Sequence, residues 1–353
     1  MFLISQIKKF IFPFYKETNT KKVLSILNKI NNNETQFVGG CVRNYLSDNE
    51  INDIDIATTL TPSEVIERLK NSDVEIKKTG FEHGTLTLIF KDKKFEITTL
   101  RKDVSTDGRH AKVVFTKDWT KDSERRDFTI NAIYLNKNGK VFDPHSGLDD
   151  LKNNKVKFIG NPDKRIKEDY LRILRFLRFS IYYKSFEIND ETQKAIKLNL
   201  NGIAHLSKER VYTELEKIIK LKNLYDIFNN NFLLTIFKLI FPEFSHLKRI
   251  KKLKKISKHF IHNIDSDLIL SLLLLDETSN YQYFFHKYNI SNKTKDNLNF
   301  YSKLLKQIKS KDDFFINSLK KNIFLNGKEK MKKIYILHSL ISKKTLNINM
   351  DKI

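Results

Sequence analysis

The sequence predicts an α+β protein, with a mixed α/β region reaching to about residue 160 and an all-α remainder. Two distributions carry the prediction. Of the 10 glycines only Gly327 lies beyond Gly202, so tight turns are concentrated in the first part. The β-rich runs "QFVGG", "DIDIAT", "TLTLIF", "KFEITTL", "AIYLN" and "KVKFIG" also fall there. From about Asp163 onward, apolar residues instead recur at helical spacing with few breakers, as in "DYLRILRFLRFSIYY" and "RVYTELEKIIKLKNLYDIF".

Taken in order, the opening "MFLISQIKKFIFPFYK" is apolar but broken by Lys8, Lys9 and Pro13, so it lacks the continuous core and cleavage site of a secretory signal. "FVGGCVRN" ends a strand in Gly39-Gly40 and opens a helix with Arg43 close behind. After the strand "DIDIAT", Thr61, Pro62 and Glu64 supply an N-cap, a first-turn proline and a capping-box acid, which predicts a second helix. "KDKK" and "KNGK" each separate two strand-like runs and predict hairpins. The polar, weakly periodic stretch 101–124 reads as a long loop containing His110 and Trp119, a length that in a compact domain marks function or disorder. The expected division is residues 1–160, 161–220 and 221–353, with Arg210 and Glu214 of "ERVYTELEKII" read as a helix-pairing i,i+4 pair.

The chain has 353 residues, 40% hydrophobic and 30% charged, enough for a sizeable core and more than one domain. Its net charge of +23 and pI near 9.7 point to an anionic partner, of which nucleic acid is the commonest. The dense basic run at 248–260, with Lys248, Arg249, Lys251, Lys252 and Lys255, is either a solvated helix face or a track for a phosphate backbone. A single cysteine, Cys41, excludes an intrachain disulfide and a Cys-based zinc cluster, fits a reducing cytoplasm, and is expected to pack as a small apolar residue. "LILSLLLL" at 268–275 is too short to span a bilayer and reads as core, so no membrane is expected.

The chemistry starts from Asp53 and Asp55. Successive strand side chains alternate faces, so the two carboxylates project together while Ile54 and Ile56 point the other way. Two such charges repel, and a hard divalent cation such as magnesium is the natural neutraliser. Glycines at 39 and 40 let a backbone approach a ligand closely, and a helix N-terminus there favours phosphate oxygens. Glu96 in "KFEITTLR" is either a third carboxylate on a neighbouring strand or an exposed edge acid. Arg126 and Asp127 are either a structural ion pair or a nucleotide contact, and Asp169 and Arg172, three apart, could form a surface salt bridge on one helix.

The ordered set GGxVR, DIDIAT, TGxxHGT, DGRH, RRDFTxNA, DPxxGxxDL and EDxxRxLRxxRF, spanning about residues 36–219, resembles the bacterial class II tRNA nucleotidyltransferases, the CCA-adding enzymes and poly(A) polymerases of the polymerase-β-like superfamily. The resemblance implies a palm-like nucleotidyltransferase head followed by a helical neck, body and tail that bind tRNA. It implies template-independent addition of CCA to the tRNA 3′ end from CTP and ATP, with two Mg2+ ions on Asp53 and Asp55. Gly40 and Arg43 would meet the nucleotide's phosphates, and Arg126 and Asp127 its ribose and phosphates. Asp169 and Arg172 would read the base, accepting the amino donor and ring-nitrogen acceptor shared by C and A while refusing G and U. Arg175 and Arg178 would follow the nucleotide, Arg178 being alternatively a structural ion pair. Asn44 stands where the family usually has Asp, and no His-Asp pair of an appended phosphohydrolase is present. A poly(A) polymerase, an enzyme adding only CC or only A, and a non-catalytic RNA-binding module are the rivals.

Overall fold

A computed structural model of the chain describes residues 13–29, 34–106, 111–255, 264–276, 278–310 and 319–341. The chain divides into two compact units, residues 1–172 with 187–196, and residues 173–186 with 197–353.

In the first unit the strands are β1 (Thr35–Val38), β2 (Ile54–Thr58), β3 (Glu75–Gly80), β4 (Thr85–Phe90), β5 (Lys93–Thr99), β6 (Arg101–Thr106), β7 (Ala111–Phe115), β8 (Tyr134–Leu135) and β9 (Val141–Phe142). Seven of them form one sheet in the order β3-β4-β5-β2-β1-β8-β9, antiparallel throughout except for the parallel pair β2 and β5. Both predicted hairpins are present, β4 to β5 across Lys91-Asp92 and β8 to β9 across "NKNGK". The predicted second helix is Pro62–Leu69, and Thr61 and Glu64 form the full capping box.

Two expectations are corrected. In stretch 101–124 the described residues, which leave out 107–110, are not one long loop: β6 and β7 form a two-stranded ribbon, and helix Trp119–Glu124 follows, capped by the Asp118 carboxylate. The consecutive residues Val114 and Phe115 at the end of β7 are both exposed, so they do not show the one-sided apolar alternation by which a half-buried strand is recognised. "KVKFIG" is no strand. It runs beside residues 127–129 with one isolated bridge, Phe158 to Phe128, and its apolar side chains are buried without a ladder.

The segment "FDPHSGLDDL" ties the unit together. The Asp143 carboxylate accepts from the Gly147 and Leu148 amides at 2.8 and 2.9 Å, and Thr129 donates to Asp150 at 2.8 Å. A Cβ at Gly147 would stand 2.3 Å from the Thr129 carbonyl oxygen, a backbone atom that cannot rotate away. Gly147→Ala is therefore expected to destabilise the chain by about 1–3 kcal/mol, the usual cost of overpacking. A denaturant midpoint equal to wild type would show that the 127–131 segment yields.

In the second unit three helices start on side-chain caps among the described residues, Ser207 for Lys208–Ile219, Asn230 for Asn231–Ile240 and Asp265 for Ser266–Leu274. Helix Ser266–Leu274, which holds all but the last residue of "LILSLLLL", is buried from Asp267 to Leu274, as a core helix should be, with helices Asn292–Ser310 and Lys328–Ile341 packed on it. Among the described residues no helix is long and apolar enough to cross a membrane.

Candidate active site

Asp53 and Asp55 flank the start of β2. Ile54 and Ile56 are buried, Asp55 is half-buried and Asp53 exposed, which is the alternation the sequence predicts. Glu96 stands on the adjacent parallel strand in register with Asp55, as the first of its two readings has it, yet its side chain is exposed, as in the second, and pairs with Lys94 at 3.1 Å. Burial first, then the Glu96 and Asp53 charges, raise the Asp55 carboxyl above its ordinary pKa, against the opposing Arg126 and Arg43 guanidiniums. The ionised form of Asp55 is thus disfavoured chiefly by burial, with Glu96 and Asp53 adding to it and the two arginines offsetting part of it.

Above it lies the glycine turn. Gly39 has φ +70°, in the left-handed region that favours glycine. A Cβ at Gly39 would sit 3.6 Å from Asp55 Oδ2 and 3.8 Å from Arg126 Nη1; one at Gly40 would sit 3.7 Å from Asp55 Oδ2 and 3.8 Å from Arg43 Nη2. Both glycines therefore face the carboxylate, with an arginine nitrogen beside each. Cys41 is buried as expected, and burial followed by the Asp55 charge pushes its thiol up to about 12.

Of the two readings of Arg126 and Asp127, the structural ion pair is not the one formed, since each side chain has other partners. Arg126 donates Nε and Nη2 to Asp122 Oδ2 at 3.3 and 3.1 Å, and Nε also to the Tyr134 hydroxyl at 3.2 Å. Asp127 Oδ1 accepts from the Phe128 amide and from Asn131 Nδ2, each at 2.9 Å, and Asn131 Oδ1 in turn accepts from Arg43. Asn131 therefore links Asp127 to Arg43, a connection the sequence reading missed although "RRDFTINA" contains it. Asn44 accepts from Arg43 Nη2 at 3.3 Å and donates to the Glu50 carbonyl at 2.9 Å. A carboxylate could make only the first of these bonds, so the departure from the usual Asp has a local use.

Asp169 and Arg172 are not three residues apart on one helix. Helix Pro162–Glu168 ends at Asp169, which is extended (φ −158°, ψ 106°), and the next helix starts at Leu171. Asp169 Oδ1 accepts from the Leu171 amide at 3.1 Å. Arg172 instead donates to Glu168 Oε2 at 2.6 Å and to the Arg165 and Arg125 carbonyls at 2.7 and 3.1 Å. The break between the two helices is what separates the expected pair, because a one-residue extended step removes the shared helical face.

In the second unit, the Arg175 and Arg178 guanidiniums lie 5.7 and 4.1 Å from the Phe179 ring, and Arg178 is ion-paired with Glu214. Glu214 thus has Arg178 as a partner, together with Lys217 at 3.8 Å, in place of the i,i+4 pairing with Arg210 expected for it. The basic run is not a uniformly solvated face. Arg249 turns onto the Leu272 and Leu275 carbonyls at 3.2 and 2.6 Å, and Lys252 onto the Leu340 carbonyl at 2.6 Å, each meeting the exposed acceptors at a helix C-terminus. Lys251 lies 4.5 Å from the Phe228 ring centre, and Lys248 is exposed. The Lys255 side chain and His110 lie outside the described residues.

Among the described residues, no three of His, Cys, Asp and Glu converge as a metal cluster. The donor chemistry nevertheless fits a hard cation: Asp53 and Asp55 offer carboxylate oxygens, and the Glu96 charge acts on Asp55 from the neighbouring strand. Such an ion would complete its shell from water and from the oxygens of a bound anion.

Residues 35–157 match the family model described as the poly A polymerase head domain, and residues 185–247 that described as the probable RNA and SrmB-binding site of polymerase A. The mitochondrial CCA tRNA nucleotidyltransferase 1 of Homo sapiens is 48% identical over 191 residues, 53% of this chain and 44% of that protein. The chain spans about half the length of this relative and of its counterparts in Mus musculus and Danio rerio, at 47% and 44%. The CCA-adding enzyme of Staphylococcus haemolyticus is 34% identical over 332 residues, 92% of this chain and 78% of that protein. The fold is similar to that of the Bacillus stearothermophilus CCA-adding enzyme solved with CTP, with TM-score 0.72 and 24% identity over 93% of this chain and 80% of the other. With the head-domain motifs in order and near-full-length similarity to the staphylococcal protein, this chain belongs to the CCA-adding enzyme family of tRNA nucleotidyltransferases.

Proposed function

We propose that the chain adds C, C and A in turn to the 3′ end of tRNA, using CTP and ATP. The observation that carries this reading is the half-buried Asp55 carboxylate facing the Gly39-Gly40 turn, with Arg126 Nη1 beside the same glycine. In this reading the turn admits the polyphosphate at close range, and Arg126 and Arg43 balance its charge. Asp127, oriented by the Phe128 amide and Asn131, accepts from a ribose hydroxyl. Asp169 and Arg172 read the base. When bound, Mg2+ held by Asp53 and Asp55 supplies Lewis-acid activation of the attacking hydroxyl and neutralisation of the phosphates. Residues 1–160 are the head, 161–220 the base-selecting neck with Arg175, and 221–353 the body and tail that hold tRNA. Arg178 is assigned to structure through Glu214, and Lys248 and Lys251 take the phosphate-backbone role in preference to Arg249 and Lys252.

Labelled CTP and ATP, fed separately and together to tRNAs truncated by one, two and three nucleotides, test the proposal. Growth is expected to stop once CCA is complete, with GTP and UTP refused. A long adenosine tract would make the chain a poly(A) polymerase, and addition of only CC or only A would narrow its activity.

A further inference from the structure

We propose that Asp122 is a positioning residue that sets both ends of the nucleotide site at once, holding Arg126 against the glycine turn and the Arg125 peptide against the base-reading Arg172. The inference rests on the function proposed above. It begins with a carboxylate that none of the recognised site motifs assigns to the nucleotide.

Asp122 is fully buried in the short helix Trp119–Glu124, one turn before the two arginines. Its Oδ1 accepts from Arg125 Nε at 2.9 Å and from the Arg101 amide at 3.3 Å. Its Oδ2 accepts from Arg126 Nε and Nη2 and from the Tyr134 hydroxyl at 2.8 Å. A carboxylate has about four lone-pair sites, so this one is saturated by its neighbours. Burial alone would push such a group up, yet the Arg126 and Arg125 guanidiniums and the Tyr134 hydroxyl hold it down to about 2. It is therefore a fixed negative charge at any working pH.

Two consequences follow from the planarity of the guanidinium. With the Nε and Nη2 edge of Arg126 held side-on by one carboxylate, the position of Nη1 is determined, and Nη1 is the atom beside Gly39. On the other side, the same carboxylate fixes Arg125, whose carbonyl accepts from Arg172 Nη2, while the Arg126 carbonyl accepts from Arg165 at 2.6 Å. One buried charge thus anchors the phosphate-side arginine and the peptide that supports the base reader.

The chain's one tryptophan, Trp119, packs edge-on against the Tyr134 ring at 5.4 Å and reports on this cluster by its emission. The test uses the full chain with Asp122→Asn and the milder Tyr134→Phe. CTP affinity is followed by Trp119 emission, and KM, kcat and GTP misincorporation are measured on tRNA lacking its last three nucleotides. In Asp122→Asn, KM and Kd for CTP are expected to rise between about 10- and 100-fold, the usual effect of a misplaced binding group, with weaker refusal of GTP. Tyr134→Phe should move the same quantities in the same direction by a smaller factor. A merely structural role would instead resemble Leu272→Ala, a core truncation in the other unit: less active protein but an unchanged KM. A folded Asp122→Asn, or Tyr134→Phe where the former does not fold, with wild-type Kd, KM and GTP refusal overturns the proposal. If the wild type binds CTP yet incorporates none, the proposed function falls, and the Kd comparison still decides the role of Asp122.

Discussion

Asp55→Ala is expected to reduce CTP incorporation by on the order of a thousandfold, the equivalent of several kcal/mol of transition-state charge stabilisation. The same variant should not lose stability. Burial and the neighbouring Glu96 and Asp53 charges raise the Asp55 carboxyl in the folded chain. A raised carboxylate pKa means the folded state binds the proton more tightly than the unfolded one. As pH rises from the ordinary carboxylate value through the folded one, this group's contribution to stability is lost, and at neutral pH its charge opposes folding. Alanine removes that opposition, so the denaturant midpoint measured without divalent cations at neutral pH should stay or rise. Loss of activity with unchanged or higher stability is the signature of a charge kept for chemistry. Retained incorporation would take Asp55 out of the reaction and favour a basic RNA-binding module.

The parts of this site that were legible in the sequence are those set by local rules. A strand alternates faces, so Asp53 and Asp55 could be placed together without a fold. Thr61, Pro62 and Glu64 announce a helix start through short-range bonds that the chain makes wherever it goes. Glu96 was legible as a possibility only, because the sequence does not say which strand lies beside β2; the parallel register with Asp55 is a tertiary fact.

What was illegible depended on partners distant in the chain or on a one-residue break. Asp169 and Arg172 share a three-residue spacing, but spacing yields a shared face only if the helix is continuous, and Asp169 is extended. The hub at Asp122 hid in a polar, weakly periodic stretch in which Val114 and Phe115 are exposed. Asp127 found Asn131 and Arg126 found Asp122: the backbone sends two sequence neighbours to different partners, which their adjacency does not reveal. The basic run failed as a uniform face for a related reason. Arg249 and Lys252 satisfy helix-end carbonyls, a demand made by the packing of other helices and not by their own.

The largest stability effect is expected at Glu214→Ala. Arg178, on helix Leu171–Tyr183, donates to Glu214, on helix Lys208–Ile219, and the Glu214 side chain is only 3% exposed. Truncating one member of a buried ion pair costs about 3–5 kcal/mol. Replacing both by Leu removes the desolvation penalty together with the attraction and is expected to recover most of that loss, since apolar substitutes for a buried pair are often neutral. Denaturant midpoints of Glu214→Ala, Arg178→Leu, Glu214→Leu and the double Leu variant measure the recovery, and their CTP kinetics decide what Arg178 is for. If the double variant regains both stability and the wild-type KM, Arg178 serves helix packing. If it regains stability while KM stays high, the guanidinium itself is what the nucleotide needs.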